Sequence, residues 1–270
     1  MDEDRVRADA ALVSRGLAPS REKAQAMIAA GLATLNGAVI RKAAQKVSVT
    51  DALAVTGELH PYVSRGGLKL EKALRAFGAD ATGRVCVDIG ASTGGFTEVL
   101  LRAGARHIYA VDVGSGQLVP ELAADPRVTS MEHVNARTLS PAMFPERPTL
   151  AVMDVSFISI KLILPAAFET LGSEGRMISL VKPQFEAGRR LVGKRGIVSD
   201  PKVHRQILAD LVAFAPTLGW QVRALEYSPI AGGDGNLEFL ADMLPAQACP
   251  ESVPPERIDA VVRAAHAARL

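Results

Sequence analysis

Read by its hydrophobic and polar positions, the chain changes character near residue 60. Beyond that point seven apolar runs stand out: RVCVDIG (84–90), HIYAVDVG (107–114), PRVTSM (126–131), TLAVMDVSF (149–157), RMISLVKP (176–183), QVRALEYSPI (221–230) and EFLADML (238–244). Their length and their Val and Ile content suit strands. Between the first five lie longer stretches of helical composition, such as TGGFTEVLLRAG (93–104). This alternation predicts an α/β domain, a mostly parallel sheet with helices on both faces. Ligands of such sheets bind beyond the C-terminal ends of the strands, so polar residues that close an apolar run are the candidates for chemistry.

The first residues follow another pattern. RVRADAALVSRGL (5–17) and SREKAQAMIAAGL (20–32) have apolar residues at helical spacing, with Ser20 a candidate N-cap and Gly31 a helix stop. LATLNGAVI (32–40) reads as two short strands joined by Asn36-Gly37, a pair that tolerates positive φ and suits a type I′ hairpin turn. The chain thus divides into a small α+β domain over residues 1–58, a linker over 59–64 and a large domain over 65–270.

Composition narrows the classes. With 270 residues, 48% hydrophobic and 22% charged, the chain has the length for one large and one small domain. Cys86 and Cys249 are its 2 cysteines, far apart and without metal-ligand spacing, which predicts a reducing compartment, no disulfide framework and no metal. The N-terminus has charges where a signal peptide has its apolar core, and no stretch has the length of a membrane span, so the expected location is cytoplasmic. The net charge of +2 is too small to name a partner. Its distribution says more, since over residues 15–46 the basic residues Arg15, Arg21, Lys23, Arg41, Lys42 and Lys46 face the single acid Glu22. A basic face of this kind suits a phosphate backbone.

Order and spacing carry a resemblance here. The Arg-Gly between the helices, the Ser-Arg opening the second, the Asn-Gly hairpin and the following Lys make this module similar to the S4 RNA-binding domain. That resemblance implies that the basic residues above grip structured RNA.

In the large domain VDIGASTGGFTEVLL (87–101) places Asp88, Gly90, Ser92, Gly94 and Gly95 at a strand-to-helix turn, where glycines let a ligand approach the backbone. Its spacing departs from the dinucleotide G-x-G-x-x-G. Asp112 closes the next strand, placed to accept both ribose hydroxyls of an adenosine. The combination resembles the S-adenosyl-L-methionine site of the seven-stranded Rossmann-like methyltransferases, and that resemblance adds Asn135, after the third strand, as an adenine contact.

Four more polar residues lie at element edges: Lys69 in SRGGLKLEKAL, Asp154 in AVMDVSF, Lys182 in SLVKPQFE and Glu238 in GNLEFL. In that chain order they match the tetrad of the FtsJ-like 2′-O-ribose methyltransferases. A ribose hydroxyl is a poor nucleophile at neutral pH, so methyl transfer benefits from a positioned base. The resemblance assigns this to Lys182, oriented by Asp154, with Glu238 steadying Lys69. Lys69 and desolvation favour a neutral Lys182, whereas the two acids oppose it. Basic residues between Arg189 and Arg205 follow Lys182 and could clamp RNA phosphates, or form a solvated loop. Asp242 is an acid inside the last apolar run, which leaves the register after Glu238 open.

Together the motifs resemble the TlyA family, S4-fused bacterial methyltransferases of cytidine in ribosomal RNA that are also labelled haemolysins. The resemblance spans residues 4 to 245 and implies ribosomal RNA within 30S or 50S subunits, or both, as partner. Two other classes compete. One is a membrane-active cytolysin, for which no apolar hairpin or strongly amphipathic basic helix is present. The other is an RNA-binding assembly factor with a vestigial methyltransferase fold, which would have no need of the four edge residues together.

Overall fold

The computed structural model describes residues 5–57 and 60–268. By its contacts the chain splits into two units, one ending at Pro61 and the other beginning at Tyr62.

The small unit holds strand β1 (Val6–Arg7), helices α1 (Ala8–Ser14) and α2 (Arg21–Ala29), and strands β2 (Ala33–Leu35), β3 (Ala38–Val39), β4 (Lys46–Val47) and β5 (Leu53–Val55). β3, β2 and β5 form one antiparallel sheet, and β1 pairs with β4. The Ser20 side chain accepts from the Lys23 amide and so caps α2. Asn36 and Gly37 have φ of 51° and 84°, which closes β2 on β3 with both turn residues left-handed. Leu12, Ile28, Ile40 and Val47 make the core.

In the large unit α3 (Gly66–Phe77) precedes an alternation of β6 (Val85–Ile89), α4 (Gly95–Arg102), β7 (His107–Val111), α5 (Pro120–Ala123), β8 (Val128–Met131), β9 (Leu150–Met153), α6 (Leu164–Leu171) and β10 (Arg176–Val181). Then come α7 (Pro183–Glu186), α8 (Pro201–Phe214), β11 (Trp220–Tyr227), β12 (Phe239–Pro245) and α9 (Pro255–Ala267). These strands form one seven-stranded sheet in the order β11-β12-β10-β9-β6-β7-β8. β8, β7, β6, β9 and β10 run parallel, and β12 enters antiparallel between β10 and β11. Alternate residues of β6 serve the two faces: Val85, Val87 and Ile89 join the core under α6, α8 and α9, while Cys86 packs under α3 and α4.

Of the expected linker over 59–64, Leu59 lies outside the described residues. Residues 62–64 are part of the large unit, because the Val63 amide donates to Glu98 and the Tyr62 ring lies where a Cβ on Gly67 would clash. Asp242 has a physical account too. It pairs with Ile178 across β12 and β10, is fully buried, and accepts from the guanidinium groups of Arg176 and Arg223. Both arginines also donate to the Phe77 carbonyl at the end of α3. The acid inside the apolar run therefore ties the sheet to the C-terminus of α3.

Candidate active site

The turn between β6 and α4 begins at Gly90. Its φ is +86°, and a Cβ there would sit 2.5 Å from the backbone oxygen of Asp154, so neither conformation nor space admits a side chain. Gly94 and Gly95 make room in a different direction: a Cβ would meet Leu122 at 2.3 Å in the first case and the Ser64 hydroxyl at 2.1 Å in the second. These two glycines let α5 and the start of α3 close on α4.

Asp112 stands beyond the end of β7 with one carboxylate oxygen accepting from the Ser92 amide and the other from the Gly114 amide, both at 2.8 Å. Its orientation is thereby fixed, with further lone pairs left for a ligand. Asn135 accepts from the Arg137 amide at 3.0 Å and lies beside it in the wall of the same cleft. This cleft encloses about 630 Å³ and is lined by Gly90, Ser92, Asp112, Asn135, Asp154 and Ser156 among others. Asp88 does not reach its wall. That carboxyl is fully buried beneath the turn, where Thr97 donates to Oδ2 at 2.7 Å and Oδ1 has no hydrogen-bond partner. Burial pushes Asp88 up to about 7, against the Thr97 hydrogen bond and with help from the charges of Asp154 and Asp112.

A smaller recess of about 250 Å³ adjoins the cleft through shared Gly90, Ser92, Asp154 and Ser156, and it adds Lys69 and Lys182. Lys182 follows β10, and its Nζ lies 2.6 Å from Asp154 Oδ1 and donates to Ser156 Oγ at 2.9 Å. Lys69 projects from α3 with its Nζ 2.6 Å from Glu238 Oε2 and 3.9 Å from Asp154 Oδ2. Lys69 and Glu238 are 8% and 2% exposed, so each is the counter-charge that makes burial of the other tolerable. Residues from four separate segments thus form one chain of charges, Glu238 to Lys69 to Asp154 to Lys182.

Sequence reasoning missed Ser156 and Phe157 in the same wall. Phe157 is 91% exposed, has φ of +65°, and its ring lies 5.2 Å from that of Phe185. A bulky residue held left-handed and open to solvent is a strained position of the kind found at ligand sites. Nothing in MDVSFIS marked either residue, since exposure and backbone conformation are set by the fold.

The basic residues of the small unit divide. Arg21, Lys23, Arg41, Lys42 and Lys46 are exposed, and Arg21 lies 3.4 Å from the buried Asp9 carboxylate. Arg15 is exposed as well, and its guanidinium donates to the carbonyls of Ser48, Val49 and Asp51, which ties the 48–51 turn to α1. In the segment after Lys182, Arg205 pairs with Asp259 at the surface, and Glu186 accepts from Ser159 Oγ and the Ile160 amide.

A parallel sheet with one antiparallel strand in this order, a glycine turn after its central strand and an acid after the next define the Rossmann-like methyltransferase class. The chain matches the FtsJ-like methyltransferase family over residues 62–242 and the S4 domain over residues 6–53. It belongs to the FtsJ-like methyltransferases and, among them, to the S4-fused TlyA family. The 16S/23S rRNA (cytidine-2′-O)-methyltransferase TlyA of Mycobacterium tuberculosis is 46% identical over 236 residues, covering 87% of this chain and 88% of that protein. Hemolysin A of Brachyspira hyodysenteriae is 43% identical over 240 residues, 88% of this chain and 100% of that one. A solved structure of a hemolysin-named protein from Streptococcus thermophilus, 45% identical, superposes with a TM-score of 0.78 over 98% of this chain and 97% of its own.

Proposed function

We propose that this protein is an S-adenosylmethionine-dependent 2′-O-ribose methyltransferase acting on cytidine in bacterial ribosomal RNA, within the 30S subunit, the 50S subunit or both. The observation that carries this reading is the Lys182–Asp154 contact at 2.6 Å beside the Lys69–Glu238 pair, at the junction of two connected cavities. Cytidine and ribosomal RNA come from the named activity of the Mycobacterium tuberculosis relative.

The larger cleft fits the cofactor. Gly90 leaves space that a Cβ would close, and Asp112 presents a fixed acceptor of the kind two ribose hydroxyls need. Gly90, Ser92, Asp112 and Asn135 would hold it, while Asp88, Gly94 and Gly95 shape the turn from below. Bound there, S-adenosylmethionine supplies a methyl group on a positively charged sulfur. Lys182 then takes the proton of the ribose 2′-hydroxyl as that oxygen becomes the nucleophile. Asp154 aims the amine and offsets the charge it acquires. Lys69, held by Glu238, fixes the second Asp154 oxygen, so the carboxylate keeps one orientation throughout. Phe157 offers a face on which an unstacked base can rest. The exposed cations of the small unit would hold the RNA by its phosphates.

The test is transfer of labelled methyl from S-adenosylmethionine to purified 30S and 50S subunits, with the product nucleotide identified by mass spectrometry. Lys182→Ala should lower transfer by roughly a thousandfold while cofactor and RNA binding persist. Undiminished turnover by that variant would overturn the assignment.

A further inference from the structure

Lys182 Nζ lies 2.6 Å from Asp154 Oδ1 as an ion pair, but that oxygen accepts no hydrogen bond; the amine's side-chain hydrogen bond goes to Ser156 Oγ at 2.9 Å. A charge contact holds the amine close without setting the direction of its N–H groups and lone pair, and the hydrogen bond to Ser156 sets it. We propose that Ser156 is a positioning residue of the methyl-transfer site, fixing the direction in which Lys182 faces the ribose hydroxyl. This rests on the reading of Lys182 as the proton acceptor.

The local structure holds Ser156 in place for this. Asp154 and Ser156 are two residues apart on the extended chain leaving β9, and Lys182 reaches them from the end of neighbouring β10. Phe157, immediately after, turns the chain with its φ of +65°. Glu186, four residues after Lys182, then fastens the far end of the same loop by accepting from Ser159 Oγ and from the Ile160 amide at 2.7 and 2.8 Å. The loop bearing Ser156 and the segment bearing Lys182 are therefore clamped at both ends. Ser156 is exposed and lines both cavities, and its own proton has no acceptor among the described residues.

The experiment compares wild type, Ser156→Ala, Ser156→Thr and Lys182→Ala on the same ribosomal subunits. Ser156→Ala should lower kcat about tenfold, with KM for subunits, S-adenosylhomocysteine affinity and melting temperature near wild type. Ser156→Thr, which keeps the hydroxyl, should recover most of the rate. A Ser156→Ala enzyme with wild-type kcat, or a loss traced wholly to KM or to melting temperature, overturns the proposal while Lys182→Ala remains inactive. An active Lys182→Ala enzyme overturns instead the reading on which it rests.

Discussion

A single buried carboxyl shows how far a residue's surroundings can depart from what its sequence position suggests. Asp88 lies in a motif that reads as ligand-binding, yet it is fully buried with one oxygen unpartnered, and burial pushes it up to about 7. In the unfolded chain the same group titrates near 4. Between these values the folded state holds a proton that the unfolded state has lost, so this group's contribution to stability falls as pH rises. Asp88→Asn removes the titration. Relative to wild type it should gain about 4 kcal/mol of stability between pH 4 and pH 8, read from urea midpoints at several pH values. A difference independent of pH would show that Asp88 is ionised throughout. Phe157 is the opposite case, a large apolar side chain left 91% exposed at the site, which its hydrophobicity alone would have assigned to the core.

Among the elements, α3 depends most visibly on something far away in sequence. It carries Lys69 near its start, while its last carbonyls accept from Arg176 on β10 and Arg223 on β11, both held by Asp242 on β12. Replacing Asp242 with alanine would leave two guanidinium groups without their acceptor in a largely buried setting. It should cost about 3 kcal/mol in a denaturation experiment. Because α3 positions Lys69, turnover should fall as well, and Lys69 contacts Asp154 as well as Glu238. A stable and fully active Asp242→Ala protein would remove this link. The apolar run EFLADML displayed the acid; what it could not display was the pair of arginines, which come from the two strands on either side of β12.

At the scale of the whole molecule, the two units divide charge from chemistry. The small unit presents Arg21, Lys23, Arg41, Lys42 and Lys46 at its surface, and the large unit holds the paired lysines and carboxylates. Arg41→Gln combined with Lys42→Gln should weaken RNA binding across sequences and reduce the slope of log affinity against log salt by roughly two, with cofactor affinity unaltered. Nitrocellulose filter binding over a salt series measures this, and an unchanged slope would place the phosphate contacts elsewhere. No helix among the described residues is long and apolar enough to cross a membrane, so the hemolysin name shared by two relatives has no spanning helix here to rest on.

The sequence by itself determined the alternation of strands and helices, the hairpin turn at Asn36-Gly37 and the family to which the chain belongs, since periodicity, turn chemistry and motif spacing are local properties. It also displayed Lys69, Asp154, Lys182 and Glu238 as polar residues at element edges. That these four meet was decided by the tertiary structure, because the order of β12, β10 and β9 and the packing of α3 bring Lys69 and Glu238, 169 residues apart, within 2.6 Å of each other. The same holds for Arg15, engaged by carbonyls of a turn that lies more than thirty residues away, and for Ser156, which owes its partner to a neighbouring strand. Charge and polarity are written residue by residue, whereas a hydrogen-bond partner is set by whichever segment the fold brings alongside.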